Sequence, residues 1–138
     1  MSNKKSGNDF EKEFCKLASK AGFWAHVLQD NHNGQPADVI ITKNGKAALV
    51  DCKDCENDIF SLSRVEENQE LSMKKWIMTG NRYAVFVFKL SEGVRVTPFQ
   101  LLDNLKGLGV KQLNLAQILE YSWSLDEWME GFNADNSQ

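Results

Sequence analysis

The stretch Ala37-Asp38-Val39-Ile40-Ile41-Thr42-Lys43-Asn44-Gly45-Lys46-Ala47-Ala48-Leu49-Val50-Asp51-Cys52-Lys53-Asp54-Cys55 decides the fold. Two β-rich runs, Ala37–Thr42 and Ala47–Lys53, flank Asn44-Gly45. That dipeptide is the strongest short hairpin signal, because both turn positions need positive φ. A two-residue turn there sets Lys43 opposite Lys46. Counting back along both strands then sets Asp38 opposite Asp51, with Cβ atoms roughly 4.5–5.5 Å apart. Lys53 lies two residues past Asp51 and so projects to the same face. Strand arithmetic alone therefore predicts two carboxylates and an amine at one place. Both runs are too apolar for a hairpin with a free face, so the hairpin belongs inside a sheet.

Outward from the hairpin, helix and strand patterns alternate. Asn8–Ala21 reads as a helix with Asn8 as cap and Glu11 in the capping-box position; Phe10, Phe14, Leu17, Ala18 and Ala21 share one face, and Gly22 ends it. Residues 1–7 read as a loose tail. Phe23–Leu28 reads as a strand, and Gln29–Pro36 as a polar loop. Past the loop Asp54–Phe60, Ser63 and Glu66 predict the start of a helix running to about Met78, with Val65, Gln69, Met73, Trp76 and Ile77 on one face. Tyr83–Lys89 is apolar enough to be buried on both sides, and Val94–Thr97 pairs with it across Ser91–Gly93. Thr97 and Pro98 predict one short helix, Asn114 with Gln117 a second, and Ser124 with Glu127 a third. The third carries Leu125, Trp128, Met129 and Phe132 on one face, a stripe that suits either core or interface. The order is that of a single α/β domain over residues 1–138.

The chain has 138 residues, is 42% hydrophobic and 25% charged, and carries a net charge of −3. That is enough chain for one real core and too apolar for a disordered protein. No run approaches the ~20 apolar residues of a membrane span, and the N-terminus lacks a signal-peptide pattern. Three cysteines are too few for a disulfide scaffold and fit a reducing compartment, so a soluble cytoplasmic protein is expected. With 19 acidic against 16 basic residues, overall charge does not favour nucleic acid. Any such partner must be held by a local patch.

Facing carboxylates repel unless something neutralises them. A hard divalent cation does so well, and Mg²⁺ favours one or two carboxylates plus water and phosphate oxygens. A lysine beside it can orient or deprotonate a water, or neutralise charge on a phosphate in the transition state. The bland alternative is a surface Lys–Asp pair on a solvated hairpin, with Gln69 a helix-edge residue. A second alternative is structural zinc. Cys52-x-x-Cys55 is half a site, and Cys15, His26 and His32 are the remaining ligand types.

These residues resemble the PD-(D/E)xK nuclease superfamily, and within it the Holliday junction resolvases of the RecU-like and archaeal types. The resemblance runs from about Gly7 to about Ser122. It takes in Gly7-Asn8-Asp9-Phe10-Glu11, Lys20-Ala21-Gly22-Phe23, Pro36-Ala37-Asp38, Val50-Asp51-Cys52-Lys53, Phe60-Ser61-Leu62-Ser63, the helix bearing Gln69, Thr97-Pro98-Phe99 and Gly109-Val110-Lys111-Gln112-Leu113. It implies a restriction-endonuclease-like core, a mixed β-sheet with a central hairpin flanked by helices. It also implies a metal-dependent deoxyribonuclease acting in DNA recombination and repair.

By that resemblance Asp38, Asp51 and Lys53 take the signature catalytic positions. Asp38, Asp51 and the Cys52 carbonyl would hold Mg²⁺, or Mn²⁺. Gln69 falls on the family's glutamine and Glu11 on its first-helix acid, with Glu13 the choice if the register slips. The sequence departs from the family in having Asp51 where Glu is commoner, in a short Gln29–Pro36 loop where RecU-like proteins project a stalk, and in its acidic balance. Branched DNA is the expected partner, with Lys43, Lys46, Arg64, Lys74 and Lys75 as candidate contacts and Arg64 expected at a helix N-terminus. Two symmetric cuts imply a homodimer, joined through the C-terminal helix or the Trp76 helix. Other nucleases of the same fold, and a non-catalytic nucleic-acid-binding or assembly module, stand as alternatives.

Overall fold

In the computed structural model, residues 3–28 and 37–135 are described. The expected loop Gln29–Pro36, with His32, lies outside them. Strands β1 (Trp24–Val27), β2 (Val39–Lys43), β3 (Lys46–Asp54), β5 (Tyr83–Leu90), β6 (Gly93–Pro98) and β8 (Trp123–Ser124) form one mixed sheet in the order β1-β2-β3-β5-β6-β8. A separate pair joins β4 (Phe60–Ser61) to β7 (Gln112–Leu113). Helices α1 (Asn3–Lys20), α2 (Glu67–Met78), α3 (Phe99–Gly107), α4 (Leu115–Glu120) and α5 (Leu125–Ala134) complete the chain.

The hairpin has the register its turn demands. Asn44 and Gly45 take φ of 55° and 77°, and Lys43 faces Lys46 while Val39 faces Val50. β3 then pairs with β5 in parallel, Asp51 beside Phe86 and Lys53 beside Phe88. Every other ladder in the large sheet is antiparallel. β3 and β5 are the central strands, covered on both faces, which is why Tyr83–Leu90 reads as an apolar run.

The sheet separates two cores. On one face Val39, Ile41, Ala48, Val50, Cys52, Val85 and Val87 pack against Phe10, Phe14 and Ala18 of α1 and Leu125, Trp128, Met129 and Phe132 of α5. The α5 stripe is therefore core, and the expectation that it joins two copies is corrected. On the other face Leu49, Ala84, Phe86 and Phe88 meet Met73 of α2, Leu102 of α3, Ile118 of α4 and Phe60.

Several helix ends differ from expectation. α1 begins at Asn3 rather than Asn8, so residues 3–7 are helical and Asn8 is interior. Once the apolar face of α1 is anchored on the sheet, adding turns no longer carries the nucleation cost that marks Gly7-Asn8 as a boundary. Its C-terminus matches expectation: Phe23 N–H reaches Ala18 O and Gly22 N–H reaches Ser19 O, with Gly22 at φ 91°. Ser63 does not cap α2. It lies in a 3₁₀ turn, Leu62–Arg64, because β4 is tied to β7 and Leu62 N–H bonds Lys111 O. The chain must turn tightly to bury Val65, and α2 starts only at Glu67. Thr97 does not cap α3 either; its hydroxyl donates to Tyr121 O at 2.7 Å. The Asn114–Gln117 and Ser124–Glu127 boxes form as expected. Among the described residues no helix is long and apolar enough to cross a membrane.

Lys46 is buried, its ammonium bonded to the Phe132 and Asp135 carbonyls and set over the Phe132 ring. A cation at the end of α5 complements the helix dipole and its unpaired carbonyls. Lys46→Met should therefore lower stability by about 2 kcal/mol, the scale of a lost charge-assisted hydrogen bond. Urea unfolding checks this; a change under 0.5 kcal/mol, the scale of a surface substitution, would show that this contact does not hold α5 in place.

Candidate active site

β2 and β3 run side by side until Asp38, whose N–H donates to Val50 O at 3.1 Å. One carboxylate oxygen of Asp38 accepts the Cys52 N–H at 2.9 Å. That bond sets the acid across the strand gap at the level of Asp51. A strand residue's N–H and C=O point to the same side, so the Cys52 carbonyl also faces the side from which Asp38 approaches.

Asp51 has no exposure at all, and Asp38 little. Neither carboxylate oxygen of Asp51 receives a hydrogen bond among the described residues. The nearest cation, Lys53 Nζ, is 3.7 Å away. Burial raises the Asp51 pKa well above its ordinary value; the Asp38 carboxyl adds to the rise, Lys53 opposes it and Glu66 adds a little more. A buried carboxylate without donors is costly. Burial and the neighbouring carboxyl thus favour the neutral form of Asp51.

Lys53 is nearly buried. Its ammonium lies 3.5 Å from Gln69 Oε1 and 5.9 Å from the centre of the Phe86 ring. Gln69 is buried on the first turn of α2, and the same Oε1 accepts the Glu66 N–H at 3.3 Å. The helix start thus fixes the amide orientation, and the amide in turn holds Lys53. Gln69 reaches the site through its contact with Lys53. The expected Ser63–Glu66 box concealed this. The Glu66-x-x-Gln69 spacing, three residues later, carries the signal that would have found it.

Asp38, Asp51, Lys53 and Gln69 are thus brought together as expected. Glu11 stands on α1, on the other side of the sheet, where its charge acts on the Cys15 and Cys52 thiols. Glu13 is exposed and paired with Lys89 at 3.3 Å. Cys52 and Cys55 belong to opposite cores, so Cys52-x-x-Cys55 cannot close on one ion. Arg64 is not at a helix N-terminus; it ends the 3₁₀ turn, donates to Asp54 O at 3.1 Å and covers the Phe60 ring. Lys43 donates to Ala21 O at 2.7 Å at the end of α1. Lys46, buried under α5, is not a surface contact. Lys74 and Lys75 are exposed on α2, Lys74 paired with Glu70.

The donor set fits a divalent cation. Two acids meet with one pair of oxygens unpartnered, and the remaining donor is a carbonyl. All are oxygen, as a hard ion such as Mg²⁺ requires.

The sheet order and flanking helices define a restriction-endonuclease-like fold. No model of a known protein family matches the sequence, and no curated protein is detectably similar to it. Among solved structures, the chain is similar to Hjc from the archaeal hyperthermophile Archaeoglobus fulgidus, a Holliday junction resolvase, with a TM-score of 0.66. The two are 16% identical, and the match covers 91% of this chain and 96% of that one.

A raised Asp51 pKa means the folded, metal-free protein holds a proton that the unfolded chain has lost. Stability should then fall as pH rises above the ordinary carboxylate range. In EDTA, Asp51→Asn should remove that fall and be more stable at pH 7.5 by about 1–3 kcal/mol, the scale of one unsatisfied buried polar group. Mg²⁺ should reverse the order, raising the Tm of the parent but not of the variant. Thermal melts at two pH values, with and without Mg²⁺, test both; equal Mg²⁺ responses would dismiss Asp51 as a ligand.

Proposed function

We propose that this chain is a PD-(D/E)xK-type, Mg²⁺-dependent DNA endonuclease of the resolvase kind, hydrolysing phosphodiesters at branched DNA. The observation that carries this is the buried Asp51 carboxylate, without a donor among the described residues, set beside Asp38 with the ammonium of Lys53 less than 4 Å away. A fold shared with Hjc supports it, although fold by itself does not fix function.

Asp38, Asp51 and the Cys52 carbonyl would hold Mg²⁺, or Mn²⁺. When bound, the ion polarises the phosphate and lowers the pKa of water. The chain does the rest. Asp38 and Asp51 supply the negative charge that keeps a cation there. Lys53, kept from bulk water and steadied by Gln69, is placed to orient the attacking water or to neutralise charge building on the phosphate.

DNA contact then rests on α2, where Lys74 and Lys75 are exposed, with Arg64 at its approach. Two symmetric cuts need two sites, so the active species is a homodimer. Flap or nicked-duplex cleavage is the competing activity of the same site.

Four-way junction, flap, nicked and intact duplex should be incubated with Mg²⁺, Mn²⁺ or EDTA. Junction cleavage by paired cuts, abolished in EDTA and by Asp51→Asn, is expected. Lys53→Ala should slow turnover by about 10²–10⁴ while junction binding persists, and Lys53→Arg should not restore it, since a planar guanidinium is no compact charge. Undiminished turnover in Lys53→Ala would reduce the Asp–Lys pair to a structural one. Lys75→Ala should flatten the slope of log K against log salt by about one unit, on junction and duplex alike; an unchanged slope would take Lys75 out of the DNA contact.

A further inference from the structure

β1 is an edge strand of the large sheet. Its residues alternate, with Ala25 and Val27 turned into the core under α1 and Trp24 and His26 turned to the other face. The register shows which face that is. His26 lies opposite Ile40, and Ile40 opposite Leu49. Opposed residues project to one side of a sheet, as do residues two apart on a strand. Trp24, His26 and Leu49 are therefore on the face that carries Asp51 and Lys53. Leu28 N–H bonds Asp38 O at 2.8 Å, so β1 continues to the level of the acids. His26 is one strand across and two residues along from Asp38, roughly 8 Å by strand spacing and rise.

Two aromatic rings stand on this open end of the face. Trp24 is 58% exposed, although nothing in the core needs an indole there. Its ring is stacked on that of His26, with centroids 5.4 Å apart and planes 4° from parallel. The stack runs along β1 toward Asp38, and its parallel planes leave aromatic faces open to solvent. Flat, exposed, sequence-tolerant rings are a means by which proteins hold unpaired bases. An intact duplex offers no base face to such a surface. A base unstacked at a branch point does.

We propose that Trp24 and His26 form a stacking platform for a nucleobase displaced from the duplex next to the scissile phosphate. This rests on the nuclease reading above and narrows it, because it makes the platform the feature that separates branched from intact DNA. Continuity with the acid site along one sheet face commits the surface to the substrate's own strand.

The test measures affinity by fluorescence anisotropy, in EDTA, for a four-way junction, a single-stranded oligo(dT) and an intact duplex. Parent, Trp24→Ala, Trp24→Phe and His26→Ala proteins are compared, with melting curves for each. Trp24→Ala should weaken the junction and the single strand roughly tenfold, the loss expected when one base forfeits an aromatic partner. Duplex affinity should stay within about twofold. Trp24→Phe should keep most of the affinity, since it keeps a ring, and His26→Ala should shift the same two ligands in the same direction. Equal weakening on all three DNAs, or none, would overturn the platform. So would a parent that binds no oligonucleotide, or a Trp24→Ala protein that loses self-association while binding DNA as the parent does. The two readings separate cleanly. Failure to cleave with any metal, alongside Trp24-dependent binding of oligo(dT), removes the nuclease reading and leaves the platform; junction cleavage with Trp24-independent binding does the reverse.

Discussion

Asp51 sits on the third strand of a six-stranded sheet with both carboxylate oxygens buried and, among the described residues, without a donor. Keeping it there constrains everything around it. The strand must be central, so that neighbours on both sides fix its position. β5 supplies one side by a parallel ladder and β2 the other through the tight hairpin. The adjacent acid must come from outside the ladder, because a residue inside it could not lend its carboxylate to the Cys52 N–H as Asp38 does. Burial drives the Asp51 pKa up, the kind of perturbation that clusters at functional sites.

The same strand carries two lysines with opposite roles. Lys46 starts β3 and turns to the α5 face, where two carbonyls hold it and a ring shields it. Lys53 lies seven residues on, an odd number, and so projects from the opposite face. It meets a carboxylate and an amide at longer range, 3.7 and 3.5 Å. The first is bonded to two main-chain oxygens at the end of a helix, the arrangement of a fixed structural part. The second is held loosely enough for its charge to act on another group. Burial alone would rank the two lysines together; their partners separate them.

Much of this was legible in the sequence because it follows from short-range rules. Asn44-Gly45 fixes the turn, the turn fixes the register, and the register places Asp38 and Asp51 together. Helices with strong caps, such as those opened by Asn114 and Ser124, were equally readable. What was not legible depended on partners far along the chain. Ser63 has the right spacing to Glu66 for a cap, but the β4–β7 pairing, made with residues some fifty positions later, takes that segment first. Lys46 and Arg64 read as surface cations because the α5 carbonyls and the Asp54 carbonyl that hold them are invisible in a linear pattern. The two-residue strand β8 is too short to show any period of its own.

Gln69 shows how a site residue can hide behind a structural one. Its amide oxygen closes the start of α2 and steadies Lys53 at once. Each bond alone is near the long end of hydrogen-bond geometry. Together they leave the amide one orientation. The β4–β7 pair and the 3₁₀ turn decide where α2 begins, so they also decide where that oxygen lies. A shift of one residue in the helix start would rotate Gln69 by about 100° around the axis and take it away from Lys53. The geometry of the acid site therefore depends on a two-strand pair that contains none of its residues, and the small sheet's function is to set the phase of α2.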